Sequence, residues 1–140
     1  MQYQLALSLP DCSGRGVRFS LLSPADHDDV MLQAAKRIGP EGSLIELKKA
    51  EWREGVMRMV KEVTVNTDCF SQEALLRPEV KWRKVTYVDL EADFNESDED
   101  KRLLQPKDWA ILTEMYRSKH DVSLDEVKLI QGKVLAVSTG

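Results

Sequence analysis

Two histidines, two cysteines and a run of carboxylates are the residues of this chain whose types could do chemistry. A hydrolase needs a nucleophile, a base and a group to orient the base, so His27 and His120 are the natural bases unless a carboxylate or lysine serves. Neither is poised by its sequence neighbours. His27 lies between Asp26 and Asp28, acids that fit the first turns of a helix, where the macrodipole favours negative charge. His120 sits in Ser118-Lys119-His120-Asp121, an expected connection between helices where a polar residue is ordinary. Cys12 and Cys69 stand apart with no C-x-x-C, and the chain has no H-x-x-x-H, so zinc finds no ligands at recognisable spacing. Both cysteines read as small apolar groups of a reducing compartment.

From Glu91 to Asp100 six of ten residues are acidic, and Asp89, Glu91, Asp93 and Asn95 place oxygens at alternate positions, as a calcium loop would. The sixth position of that loop needs glycine and here is Phe94, and the twelfth is Asp100 in place of the bidentate glutamate. A solvated loop over 91–100 is the expectation. Gly14-Arg15-Gly16 is a lone G-x-G, and no phosphate-binding G-x-x-x-x-G-K-[ST] occurs. The inventory predicts no catalytic residue, no metal and no cofactor: the chain reads as a non-enzyme.

The elements that must carry these residues follow from periodicity. Tyr3, Leu5, Leu7 and Leu9, then Val17, Phe19 and Leu21, alternate with polar or small neighbours around a turn-rich Pro10 to Gly16, which predicts a β-hairpin over 1–22. Ser23-Pro24-Ala25-Asp26 opens a helix whose Val30, Met31, Ala34, Ala35 and Ile38 share one face and which stops near Gly39-Pro40. The capping box Ser43 to Glu46 opens a second, running to about Val63 with stripe Ile45, Trp52, Val56, Met59 and Val63, and with Glu54 and Arg58 on its wet side. Gly55 interrupts it and marks a close helix contact or a bend. Residues 23–76 read as helical, ending in a short helix over 71–76. Residues 77–104 read as irregular, and 80–88 fits strand or helix equally. Gln105 to Asp108 opens a helix with stripe Trp109, Leu112 and Tyr116. A second capped helix with Val127 and Ile130 ends at Gly132, so 105–132 resembles a helix-turn-helix, and a short strand over 133–137 belongs to the tail 133–140. The fold class expected is α+β, a mainly helical single domain.

The length of 140 residues suits one domain, and a formal charge of -4 with a pI near 5.3 argues against affinity built on phosphate contacts. The second helix of the 106–131 pair offers Lys128 against Asp125 and Glu126, little with which to read bases, so a DNA-binding regulator is the alternative and nucleic acid is not the expected partner. Arg77 to Lys84, basic around Trp82, could grip a phosphate or pair with the acidic stretch. No apolar run approaches a membrane span and the start lacks a basic leader, so a cytoplasmic product with no membrane partner is expected. Protein contact remains, with Trp52, Met57, Trp82, Trp109 and Tyr116 as candidate partner-binding residues, and a homo-oligomer is compatible with it.

Val17-Arg18-Phe19-Ser20-Leu21-Leu22-Ser23-Pro24-Ala25-Asp26 leading into Met31-Leu32-Gln33-Ala34-Ala35, and Leu112-Thr113-Glu114-Met115-Tyr116 before a short capped helix, resemble in style and order the small accessory proteins of tailed-phage and prophage morphogenesis clusters, tail assembly chaperones in particular. The resemblance implies an acidic, mainly helical protein without catalytic residues. It also implies a partner such as the tape-measure protein or another virion component, met in the host cytoplasm or the virion.

Overall fold

The computed structural model describes residues 2–120, and it is α+β and mainly helical. The hairpin forms as its period of two requires: β1 (Gln2–Ala6) pairs antiparallel with β2 (Gly16–Ser20), with Leu5 opposite Val17 and Tyr3 opposite Phe19. In the connection, Gly14 adopts φ of 74°, and its Cα lies so close to the Thr67 carbonyl that a side chain would collide.

Helix α1 (Pro24–Ile38) opens at Ser23 with a capping box to Asp26 and buries Val30 and Ala34. Helix α2 (Leu44–Met59) starts at Ser43, whose hydroxyl accepts the Glu46 N–H. It was expected to run to Val63, but it stops at Met59 and the chain passes directly into β3 (Val60–Thr64), inside the span 23–76 expected to be helical. Val60 and Val63 satisfy a helical stripe and a β pattern alike, and their branched side chains favour the strand once β2 is there to pair with. The short helix expected over 71–76 is a 3₁₀ turn at Glu73–Leu76.

The expected irregular stretch 77–104 is mostly ordered. β4 (Trp82–Lys84) completes an antiparallel sheet of order β1-β2-β3-β4, and α3 (Tyr87–Asn95) follows from a capping box between Thr86 and Asp89. The ambiguous 80–88 is thus strand and then helix. The expected loop 91–100 begins as the end of α3. Asp93 there is buried because its carboxylate accepts the Leu103 and Leu104 N–H groups at 2.6 and 3.1 Å, which folds the return strand of chain back onto the core. A 3₁₀ turn at Glu99–Lys101 follows, and α4 (Pro106–His120) closes the described chain. His120 therefore lies within α4 and not in a connection. The capped helix over 123–132 and the strand over 133–137 lie outside the described residues.

One face of the sheet, with Val17, Phe19 and Val63, meets Met57, Met59, Leu90, Leu104, Leu112 and Tyr116 in a single core, where each fully buried leucine contributes about 1.5–3 kcal/mol. The opposite face is polar. Gln4, Arg18, Glu62 and Lys84 stand directly across from one another on the four strands, and Arg18 bonds both Gln4 (2.9 Å) and Glu62 (3.0 Å). Helix α2 runs through the middle of the molecule, touching α1, α3, α4 and β3. Gly55 is where α4 comes closest, because the Tyr116 ring occupies the space a Cβ would need; of the two readings of that glycine, it marks the close contact.

Candidate docking groove

Two acids of α2, one turn apart, are fully buried. Glu54, expected on the wet side, is 0% exposed. Arg37 of α1 donates to it from Nε (3.1 Å) and Nη2 (2.7 Å), Tyr87 of α3 donates from its hydroxyl (2.6 Å), and Arg37 also reaches Glu91 at 3.1 Å. The Glu54 bonds hold the Arg37 guanidinium charged well beyond the usual arginine range. Burial, then Glu54, pushes the Tyr87 hydroxyl up, so it stays a donor. This network pins α1, α2 and α3 together.

Glu51 holds Tyr116, beside which stand the two histidines that the sequence keeps far apart. Its Oε2 accepts the Tyr116 hydroxyl at 2.9 Å and Lys48 bonds Oε1 at 3.2 Å, while His27 Nε2 stands 3.7 Å away. The His27 and His120 rings have centroids 6.3 Å apart, each beside Tyr116. His120 Nε2 accepts the Leu22 N–H at 3.2 Å, and burial, with His27 beside it, pushes its imidazole down toward the neutral form. Among the described residues no serine or cysteine donates to either ring, and no three His, Cys, Asp or Glu side chains are grouped to hold a metal ion. Cys12 lies elsewhere, and burial and then Asp108 push its thiol up, away from the nucleophilic thiolate. Asp108 itself accepts the Ser13 and Gln105 N–H groups, closing the hairpin loop onto the start of α4.

On another side of α2 a groove of about 530 Å³ runs between α1, α2, the end of α3 and α4. Ile38, Ala50, Trp52, Phe94, Trp109 and Thr113 line it, and Arg37, Glu46, Lys49 and Arg53 complete the wall. Phe94 meets Trp109 edge to face with centroids 5.0 Å apart, and its ring lies 4.2 Å from the Arg53 guanidinium; Arg117 covers Trp52 at the same distance, 4.2 Å. Burial, then Arg37, pushes the Arg53 pKa down. The Arg53 Nε and Trp109 Nε1 donors are buried with no acceptor among the described residues, an arrangement that proteins seldom leave standing. A second cleft of about 660 Å³, lined by Arg37, Arg58, Lys61, Tyr87 and Glu91 among others, is more polar.

The structure divides the five expected contact residues. Trp52 and Trp109 line the groove, although Trp109 is only 6% exposed and belongs to the core as well; Met57 and Tyr116 are 1% and 0% exposed and are core, where Met57 packs beneath the sheet and Tyr116 seals against Gly55. Trp82 is on the far face of the sheet under Arg18, 3.9 Å from guanidinium to ring, beyond reach of any groove contact. In the basic stretch around it, Arg77 pairs with Asp68 and Glu79, whereas Arg83 lines a shallow cleft with Asp89, Asp93 and Glu96. Arg53 and Phe94, both groove residues, carry no motif or spacing that singles them out as contact residues. Phe94 was the one large apolar residue of an acidic run, which is the signal that could have found it. No described helix is long and apolar enough to cross a membrane. No family model, no curated protein and no solved structure matches this chain.

Proposed function

We propose that this chain is a non-enzymatic interaction protein whose α2–α4 groove receives an amphipathic helical segment of another protein, with its apolar side on Trp52, Phe94 and Trp109 and acidic residues toward Arg37, Lys49 and Arg53. The observation that carries this reading is the groove itself: aromatic walls, a mainly basic rim, and two buried donors, Arg53 Nε and Trp109 Nε1, without acceptors among the described residues. The resemblance to tail assembly chaperones names the partner to try first, the tape-measure protein or another virion component, and with it the host cytoplasm or the virion as the place of contact. Co-expression with a tape-measure protein from the same cluster, followed by affinity capture, tests the proposal. The partner is expected to co-purify with the native chain and to be lost from Thr113→Glu, which sets a charge in the groove while leaving the core intact. A folded chain that retains no morphogenesis protein overturns it.

A further inference from the structure

Arg58 on α2 has lost the partner that its place in the sequence offers. It follows Glu54 at the i, i+4 spacing of a helical ion pair, but Glu54 is taken by Arg37 and Tyr87. Among the described residues the Arg58 guanidinium meets no carboxylate and its Nε is buried without an acceptor, 5.7 Å separating the guanidinium from the Tyr87 ring. Lys61 of β3 stands beside it. Its ammonium donates to the Arg58 carbonyl at 2.8 Å and also meets no carboxylate among the described residues. Both side chains line the polar cleft of about 660 Å³ between α1, the end of α2, the start of β3 and the start of α3. The acids of that cleft are already engaged: Asp26 accepts the Ser23 N–H in the α1 capping box, and Glu91 pairs with Arg37, whose other partner is Glu54. Folding thus leaves two cations in the cleft without a counter-charge.

We propose that this cleft binds a small hydroxylated phosphate monoester of the sugar-phosphate type, its phosphate held by Arg58 and Lys61 and its hydroxyl-bearing body set against the Tyr87 ring. The charge fits a dianion. A phosphate monoester carries about −1.5 to −2 charges at pH 7, which two unpaired cations neutralise, whereas a carboxylate brings only one. The planar guanidinium of Arg58 offers a fork of donors to the phosphate oxygens, and Lys61 adds a compact point charge beside it. The rest of the lining suits the body of such a molecule. Gln33, Thr86 and the carboxylates of Asp26 and Glu91 present oxygens that accept from hydroxyl groups, and the volume lies within the range of about 300–1,000 Å³ usual for small-molecule sites. The site does not depend on the docking groove, because neither Arg58 nor Lys61 lines that groove.

Calorimetric titration of the full chain with ribose 5-phosphate tests this. One site is expected, with a Kd of about 1 mM or tighter, and gluconate, which keeps the hydroxyls but ends in a carboxylate, is expected to bind at least about tenfold more weakly. Arg58→Gln and Lys61→Gln are each expected to weaken ribose 5-phosphate about tenfold, the usual worth of a hydrogen bond to a charged group, while Arg18→Gln on the outer face of the sheet leaves it unchanged. Lys61 is exposed, so Lys61→Gln keeps the fold and carries the test even where Arg58→Gln does not. In the native chain the Arg58 Nε–H resonance is expected to shift during the titration, while that of Arg77, paired with Asp68, stays in place. Absence of binding, gluconate binding as tightly, or an affinity that Lys61→Gln does not change overturns the proposal. The two readings fail separately: a chain that binds ribose 5-phosphate but captures no partner retains the cleft and loses the groove, while capture without ribose 5-phosphate binding does the reverse.

Discussion

On the outer face of the sheet the Arg18 guanidinium lies 3.9 Å from the Trp82 ring, and in the α2–α4 groove Arg53 lies 4.2 Å from Phe94, so both faces set an arginine against an aromatic ring. Their surroundings differ. Arg18 is also bonded to Gln4 and Glu62 and belongs to a polar row crossing all four strands, so its donors are used within the sheet. Arg53 Nε and its neighbour Trp109 Nε1 are buried without acceptors among the described residues, beside apolar walls. A cation over a ring therefore does not mark a contact surface by itself. Leftover nitrogens do not mark it alone either, since Arg15 Nε, His27 Nε2 and Arg58 Nε are also buried without a partner among the described residues; the groove differs in joining two of them to exposed apolar walls.

The contrast can be broken at its largest difference first. Arg37→Ala, at the groove wall, removes the main partner of buried Glu54 and is expected to cost about 2–4 kcal/mol, short of a fully orphaned charge because Tyr87 still donates and water reaches the arginine side. Gly55→Ala, on the Tyr116 side of α2, is expected to cost about 1–3 kcal/mol despite alanine's better helix propensity, since the ring must shift and its bond to Glu51 stretches. Arg18→Ala on the sheet is expected to cost only about 0.5–1 kcal/mol, the sum of a surface ion pair and a cation–π contact. Urea unfolding midpoints rank the three, and an Arg18 variant as damaging as the Arg37 one would erase the distinction between the faces.

The smallest effect is at the His120 bond to Leu22, between α4 and the residues that follow β2. Burial depresses the His120 pKa from its ordinary 6.5, so the folded chain binds fewer protons there than the unfolded chain. The contribution is complete above about pH 6.5 and is lost as pH falls through the lower folded value. Stability is expected to drop as pH falls below about 6.5, and His120→Gln, which keeps an acceptor for Leu22, is expected to flatten part of that slope.

How much of this was legible in the sequence depends on where each partner sits in the chain. The hairpin, the two capped helix starts at Ser23 and Ser43 and the α4 stripe were readable, since period, cap and turn are local signals, whereas the Thr86 cap of α3 was not read. β3 was not, because Val60 and Val63 fit the helical spacing that precedes them and only pairing with β2 makes a strand of them. Glu54 was placed in water because its charge suggested it; its partners Arg37 and Tyr87 belong to other helices. The groove was half legible. Trp52 and Trp109 stood out by size, but they were grouped with Met57 and Tyr116, which the core takes, and with Trp82, which the sheet takes.

The three tryptophans report most directly on which face docks. In the isolated complex with a captured partner, the indole N–H resonances of Trp52 and Trp109 are expected to shift by NMR while that of Trp82 stays in place. A complex in which Trp82 moves and the groove pair does not would contradict the docking groove.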